Sequence, residues 1–359
     1  MLKTAENKSE TKSRRQAFFK KHSSIIGTVI ALLLMIVLQC IVIGINEGSV
    51  SEIIPKLWMS WLNILRNNVY TGVIAIGMCF TIVSGGIDLS VGSMLCAIGA
   101  LIMYLIDESS GLLAALGITG VPAYIIAILV AIIAGMIFGG INGSLVAHGK
   151  IPPFIVTLGT MLIFRSVTQH LTRHFNPVIP NGFKQIASLK IGGEVVLPII
   201  YWVAVVVIAD IIFSKTAAGK KFIAVGSNEQ AARYSGIKTS TVKRRVYVIG
   251  GVSCAIAAII YVSRIGSMDF ANAGSGYEME AVAAVVVGGT SMSGGKGSVP
   301  GAFLGMLIVG AINNILNMLG VPTFLCNAVK GLIIIIAVLV QTRENNDVRK
   351  VLKLFRSKI

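Results

Sequence analysis

Long runs without a charged residue are the feature that most constrains how this chain can fold. The longest, residues 110–149, extends for forty residues. A transmembrane helix needs about 20 consecutive apolar residues, and a helix satisfies its own backbone hydrogen bonds in lipid. The other runs are 23–46, 67–87, 89–106, 151–164, 195–209, 246–263, 281–295 and 297–329, the last continuing past Lys330 to Gln341.

Composition supports a membrane location. The chain is 55% hydrophobic and 13% charged, whereas a soluble domain carries about a quarter charged residues. We therefore expect an all-α integral membrane protein with about ten transmembrane helices, some of them short or broken by glycine. The expected organisation is a basic tail at 1–22, a transmembrane domain at 23–341 and a second basic tail at 342–359.

The positions of the cations predict the orientation. The two tails, the loop at 215–245 and the single residues Lys150 and Lys296 hold 23 of the 31 Lys and Arg. Because cytosolic loops are enriched in Lys and Arg, both termini and this loop are predicted to be cytosolic. The net charge of +16 is then explained by topology and by contact with membrane lipids, and no nucleic-acid partner is expected.

The basic loop at 215–245, between predicted spans six and seven, has the pattern of two short helices. Asn228 can cap a helix that stops at Gly236, and a second helix can start at Thr239. One interpretation is a rigid docking site for a soluble partner, and the other is a solvated basic loop. Apolar residues beside charged ones, such as Ala231 and Tyr234, favour docking.

Two glycine-rich breaks interrupt the apolar runs. In the first, SGGIDLSVGS at 84–93, the glycines permit a break and Asp88 or Ser90 can cap the next helix. It could line a translocation path or form a simple turn. The second, at 285–301, lacks a phosphate-binding loop, because Lys296 is followed by Gly297 instead of Ser or Thr. The chain itself is therefore expected to bind no ATP.

Few charged residues lie at the predicted membrane depth. They are Asp88, Arg165, Asp210, Glu280 and Lys330. The remaining polar residues there are Asn142, Thr157, Thr160, Thr290, Ser291, Asn313, Asn314 and Asn317. Such hydrogen-bonding groups suit a neutral, hydroxylated solute, although each could instead pack between helices. The scarcity of charge disfavours an ion-coupled carrier.

Other chemistry has little support in the sequence. His170 and His174 have i, i+4 spacing but no third ligand nearby, so no metal site is expected. The five cysteines lie in apolar runs without a C-x-x-C pair, which is typical of free packing residues. No nucleophile and base pattern indicates an enzyme.

Two internal echoes suggest a duplicated architecture. Residues 141–154 resemble 312–324, which fits an inverted repeat of five spans plus five. A Gly-Gly pattern at 85–92 recurs at 288–295, but on the ten-span topology both copies face the cytosolic half. Only the first echo therefore fits an inverted repeat.

Several ordered blocks of the chain resemble one known family. AVGSNEQAARYSGIKTSTVKRRVYVIGG, SGGIDLSVGS, AAVVVGGTSMSGGKGSVPGAFLGMLI and NNILNMLGV are similar to blocks of ribose-type sugar permeases of bacterial ATP-binding cassette importers, within the branched-chain amino acid and ribose permease superfamily. The resemblance covers residues 63–341.

This resemblance implies a homodimeric permease in the bacterial inner membrane that imports a monosaccharide, ribose or a related pentose. It implies two further partners, a cytosolic ATP-binding cassette subunit that binds ATP and Mg and an extracytoplasmic sugar-binding protein. Other hexoses, furanoses or nucleosides remain alternatives, as does an ion-coupled carrier. The residues expected in the ATPase groove are Asn228, Glu229, Ala231, Ala232, Arg233 and Gly236. Those expected on the translocation path are Asp88, Ser90, Asn142, Thr160, Thr290 and Asn314.

Overall fold

A computed structural model describes residues 25–46, 50–322, 325–336 and 338–339. The predicted tails at 1–22 and 342–359 lie outside these residues. The helices are α1 (Ile25–Asn46), α2 (Ile53–Asn67), α3 (Val69–Val83), α4 (Val91–Ile106), α5 (Leu112–Ala115), α6 (Val121–Ala147), α7 (Pro153–Leu171), α8 (Asn181–Ser188), α9 (Leu197–Asp210), α10 (Ala217–Ser227), α11 (Glu229–Tyr234), α12 (Thr239–Ile265), α13 (Tyr277–Val287), α14 (Val299–Met318) and α15 (Leu325–Ile336). A short 3₁₀ turn, Val50–Glu52, precedes α2.

Six helices of the described part are long and apolar enough to cross a membrane. They are α1, α6, α7, α12, α14 and the segment of α9 that continues through a π-helical turn to Lys215. The shorter helices α3, α4 and α15 are also apolar. The predicted all-α integral membrane architecture is confirmed. Ten spans result if these three and α13 are counted as well.

The helix α2 is followed directly by α3, with only Asn68 between them. The N–H of Asn68 donates to the carbonyl of Ile64 over 3.1 Å, and the N–H of Gly72 donates to Asn68 over 2.7 Å. Asn68 itself has non-helical dihedral angles, φ −96° and ψ 8°, so the two helices stay separate. For residues 52–66 the sequence predicts a helix along the membrane surface, because Trp58 and Trp61 suit the headgroup layer; the helix is present as α2, and its position at the surface stays a prediction.

The centre of the bundle is built from α3, α4, α6 and α12. Every residue of α3 is buried, and α12 packs along α6, α3 and α4. Three glycines on one face of α6, Gly135, Gly139 and Gly143, meet the backbone of α12 directly. Small residues at i, i+4 spacing let two helices approach closely, which is how helices commonly associate in membranes.

The end opposite the basic loop is closed by small elements. A two-stranded antiparallel hairpin, β1 (Lys190–Ile191) and β2 (Glu194–Val195), follows α8. Arg66 at the end of α2 makes an ion pair with Glu194 and donates through Nε to the carbonyl of Val195 over 2.9 Å. Arg264 of α12 donates to the carbonyl of Arg66 over 2.6 Å. These contacts tie the hairpin to the ends of α2 and α12.

Two non-helical segments enter the bundle from opposite ends. Residues 84–90 connect α3 to α4, and residues 266–276 connect α12 to α13. The second segment reaches the first turn of α4, where Gly274 and Gly92 come into backbone contact. In each half, a helix is followed by a break, a second helix, a long helix and a further helix. This order matches the predicted five-plus-five repeat and pairs the 84–90 break with residues 266–276.

Candidate functional site

The predicted helix between Asn228 and Gly236 is confirmed as α11, whereas the second predicted start, at Thr239, begins the long α12, and a further short helix, α10, precedes α11. Asn228 accepts a hydrogen bond through Oδ1 from the N–H of Ala231 over 2.9 Å and so caps α11. The helix ends before Gly236, whose φ of +80° favours glycine,. The helix α12 then starts at Thr239. Asn228 and Gly236 thus delimit a compact element at this end of the bundle, the α11 knob.

Most of the predicted ATPase-contacting residues lie on the outside of this knob. The exposed ones are Asn228, Glu229, Ala231, Arg233 and Gly236. Ala232 instead faces inward and is 5% exposed, so it supports α11 from within. Glu229 makes an ion pair of 2.6 Å with Lys243 of α12. Tyr234, which was not among the predicted site residues, is 89% exposed.

A cleft of about 780 Å³ lies beside the knob. One wall is the turn between α6 and α7, and the other is α11 with the start of α12. Its charged residues are Lys150, Glu229, Arg233, Lys238 and Lys243. Four cations against one carboxylate make this cleft a basic surface.

The knob touches both Gly-Gly segments. The N–H of Gly295 donates to the carbonyl of Val83 over 2.8 Å, and Gly226 at the end of α10 packs against both residues. A methyl group on Gly226 would overlap the Val83 carbonyl. The prediction that both Gly-Gly segments lie at the end of the basic loop is confirmed. Gly226, two residues before Asn228, thus connects the base of the knob to Val83, before the first segment, and to Gly295, the last residue of the second.

The 84–90 break holds a buried polar network. Asp88 accepts through Oδ1 from both the N–H and the hydroxyl of Ser90, at 2.9 and 2.6 Å. Asn142 of α6 donates to the Ser90 hydroxyl over 2.8 Å, and Tyr247 of α12 donates to the carbonyl of Ile87 over 3.2 Å. The break is thus anchored to α6 and α12. Among the described residues, Asp88 Oδ2 and Asn142 Oδ1 have no hydrogen-bond partner.

The other predicted path residues are used in contacts between helices or within a helix. Thr160 donates to the carbonyl of Val156 in its own helix over 3.1 Å. Thr290 is fully buried and its hydroxyl lies 3.8 Å from the thiol of Cys79. Asn314 accepts through Oδ1 from Gln39 at 3.0 Å and Ser60 at 2.9 Å. These contacts fit the alternative interpretation, polar packing between helices.

Most of the remaining charged residues predicted at membrane depth have a hydrogen-bond or ion-pair partner. Lys330 of α15 forms an ion pair of 2.5 Å with Glu280 of α13, which joins the last described helix to the bundle. Arg165 donates to the carbonyl of Ala273 over 2.7 Å. Within the described residues, no group of three His, Cys, Asp or Glu is arranged to hold a metal ion.

Sequence reasoning missed the polar face of residues 266–276. Asp269, Asn272 and Ser275 are exposed there, and the segment lies against α4 and α7. The signal was a glycine-rich, aperiodic stretch at the position that an inverted repeat assigns to the second break. The Gly-Gly echo at 288–295 drew attention to a different segment.

The relatives found by comparison with known proteins are all transport permeases. A family profile described as "Branched-chain amino acid transport system / permease component" matches residues 60–338. The "Ribose import permease protein RbsC" of Bacillus subtilis is 40% identical over 288 residues, 79% of this chain and 85% of that protein. Its namesake from Escherichia coli K12 is 35% identical over 344 residues, 93% of this chain and 99% of that protein.

A further relative carries a different sugar in its name. The "Xylose transport system permease protein XylH" of Escherichia coli K12 is 31% identical over 337 residues, 77% of this chain and 83% of that protein. No solved structure matches the chain. These relatives are transport permease components rather than enzymes, and with the apolar helices they indicate a multi-pass protein of the bacterial inner membrane. The chain belongs to the permease family of the branched-chain amino acid transport type.

Proposed function

We propose that this chain is the permease subunit of an ATP-binding cassette importer for a monosaccharide, ribose or a related pentose. The observation that carries the proposal is the likeness to ribose import permeases over most of both chains. The sugar is kept at the level of a pentose because a xylose permease is also a relative. Other hexoses, furanoses and nucleosides stay in the test as competing solutes.

The proposed partners follow from the two ends of the molecule. At the basic end, the α11 knob and the adjacent cleft would dock into a cytosolic ATPase that binds ATP and Mg. The exposed side chain of Tyr234 is a suitable anchor, since tyrosine is enriched among the interface residues that contribute most to binding. The four cations of the cleft would meet an acidic rim on the ATPase. At the other end, a sugar-binding protein would deliver the solute to a homodimer of this chain.

In the proposed mechanism, the chain does mechanical work without bond chemistry. Closure of the partner ATPase around nucleotide favours one arrangement of packed helices over another. The knob contacts the Gly-Gly segments at Val83 and Gly295, so its displacement would shift the ends of α3 and α14. A path that held sugar tightly would delay its release, so weak polar contacts suit the permease and tight binding suits the partner.

Reconstitution tests this function. The chain would be placed in proteoliposomes with its cognate ATPase and binding protein, and uptake of labelled ribose would be measured with and without ATP. We expect accumulation only with ATP, and none when the ATPase carries an inactivating substitution. Competition by unlabelled xylose, other hexoses, furanoses or nucleosides ranks the solutes. Uptake driven by a proton or sodium gradient without nucleotide would instead support an ion-coupled carrier.

A separate test of docking uses the exposed face of α11. Ala231→Arg places a charge on that face and is expected to abolish copurification of the ATPase while the permease stays folded. Tyr234→Ala should weaken the complex. Retention of the full complex by Ala231→Arg would remove the docking assignment.

A further inference from the structure

The segment at 266–276 packs against α4 with one face and exposes the other. It begins at Gly266, beside Lys184 of α8, and then runs along α4. The thiol of Cys96 donates to the carbonyl of Phe270 over 3.5 Å, and Gly274 reaches Gly92 in the first turn of α4. Each helical residue rises about 1.5 Å, so the segment extends beside roughly half of α4.

Its exposed face is mostly polar, and the segment packs beside the apolar helix α4. The exposed residues are Ser267, Asp269, Ala271, Asn272 and Ser275. Irregular backbone and charged side chains are not stable against hydrocarbon, and are tolerated only against protein or water. This face must therefore line a wet space or a protein contact.

Two polar residues of α7 extend the same face. Arg165 donates to the carbonyl of Ala273 over 2.7 Å, and Gln169 donates to the carbonyl of Ala271 over 3.3 Å. They are four residues apart and so lie on one side of the helix. On the opposite side of the same helix, Val167 is 51% exposed, which provides an apolar position for comparison.

We propose that this polar strip, Arg165, Gln169, Asp269, Asn272 and Ser275, lines the extracytoplasmic half of the translocation path and binds the hydroxyl groups of the sugar in transit. The inference rests on the proposed function and specifies its path. It replaces the path residues expected from sequence, of which Asp88, Ser90, Asn142 and Thr290 are almost fully buried.

The chemistry of the strip fits a neutral polyol. Arg165, Gln169 and Asn272 supply N–H donors, while Asp269 and the partly buried Glu278 of α13 supply carboxylate acceptors. Hydroxyl groups both donate and accept, so they can use both kinds of partner. An anionic solute would require an excess of positive charge, which Arg165 and Lys184 against two carboxylates do not provide.

An apolar surface flanks the polar groups. Phe270 of the segment stacks on Phe175, with ring centroids 6.1 Å apart and planes at 27°. Small-molecule sites combine apolar and aromatic walls with a few polar groups that set orientation. The C–H face of a sugar ring could lie against these rings while its hydroxyls contact the strip.

Transport kinetics test the binding role with a matched pair of glutamines. Gln169→Ala and Asn272→Ala are expected to lower the initial rate of ATP-dependent ribose uptake at least about fivefold per assembled complex, the scale of one lost hydrogen bond. Gln185→Ala, at an exposed position of α8 outside the strip, should transport like the wild type. Equal rates for Gln169→Ala and Gln185→Ala would overturn the inference, whereas failure of the wild type to import would count against the proposed function instead.

Thiol labelling tests the wet path without relying on the identity of the sugar. Four of the native cysteines are buried and Cys40 is partly buried, so the background should be low. A membrane-impermeant thiol reagent is expected to modify Asn272→Cys and Ser275→Cys and spare Val167→Cys. Lys190→Cys on the β1–β2 hairpin reports access to that end. If Asn272→Cys reacts no faster than Val167→Cys while Lys190→Cys reacts, the strip does not face water and the inference fails.

Discussion

Ser90 joins two helices through one hydroxyl group. It donates to Asp88 and accepts from Asn142, at 2.6 and 2.8 Å, and all three side chains are buried. Ser90→Ala would leave the Asn142 amide without this acceptor and remove one donor from Asp88. A buried polar group that loses its partner costs about 1–3 kcal/mol.

We therefore expect Ser90→Ala to lower the midpoint of thermal unfolding of the purified permease in detergent. Ser93→Ala serves as control, because Ser93 is also buried in α4 but is not part of this network. Equal midpoints for the two variants would show that the network does not stabilise the break.

Asp107, beyond the end of α4, gives a pH-dependent prediction. Burial raises its pKa, but hydrogen bonds from Ser110, Ser109 and the N–H of Val178 outweigh this and lower the pKa to about 2. A carboxyl group whose pKa falls on folding stabilises the protein above its ordinary pKa of 3.8. That contribution is lost as the pH drops through about 2.

The corresponding variant is Asp107→Asn, which can accept fewer of these hydrogen bonds. It is expected to unfold at a lower temperature than the wild type at pH 7, with a gap that narrows below about pH 4 as the wild-type carboxylate becomes protonated. Thermal unfolding across this range measures the gap, and Asp210→Asn controls for general loss of charge. A gap that widens in acid would contradict the assignment.

The close packing of α6 against α12 depends on individual glycines. A methyl group on Gly139 would overlap the carbonyl oxygen of Tyr247, whereas the nearest atom to one on Gly140 is a Val248 methyl at 3.8 Å. Gly139→Ala is therefore expected to destabilise the permease by about 1–3 kcal/mol, the usual cost of overpacking. Gly140→Ala should be neutral or slightly stabilising, since alanine favours helix.

Thermal unfolding and the yield of monodisperse protein compare these adjacent substitutions directly. Because both variants replace glycine with alanine in α6, a difference between their unfolding temperatures reports packing and not helix propensity. If both variants unfold at the same temperature, the α6–α12 contact is looser than the structure describes.

A structural element can be predicted from sequence when the residues that determine it are close together in the chain. The caps of α11 depend on Asn228 and Gly236, and the predicted knob is confirmed. The helix predicted over residues 52–66 is present as α2, and its position at the membrane surface stays a prediction. The side of a helix that faces water also depends on its neighbours, so Asn142 and Thr290 could not be distinguished in advance from exposed polar residues.

At the scale of the molecule, contacts link the knob end of the bundle to the two breaks. Gly226 lies at the end of α10, with Val83 before the first break and Gly295 before α14 as its neighbours. The first break leads into α4, whose Gly92 contacts Gly274 of the 266–276 break. A displacement at Gly226 is therefore connected through packed backbone to the segment that carries the polar strip.

Gly226→Ala tests this connection, because its methyl group would push the Val83 carbonyl away while leaving the exposed face of α11 unchanged. We expect the ATPase to copurify with the variant and to hydrolyse ATP, but with fewer sugar molecules imported per ATP than in the wild type. Ser227→Ala, one residue further along, removes only a hydroxyl bonded within its own helix and should keep the wild-type ratio. Since packed backbones move together, an unchanged ratio in Gly226→Ala would mean that the conformational signal reaches the path by another route.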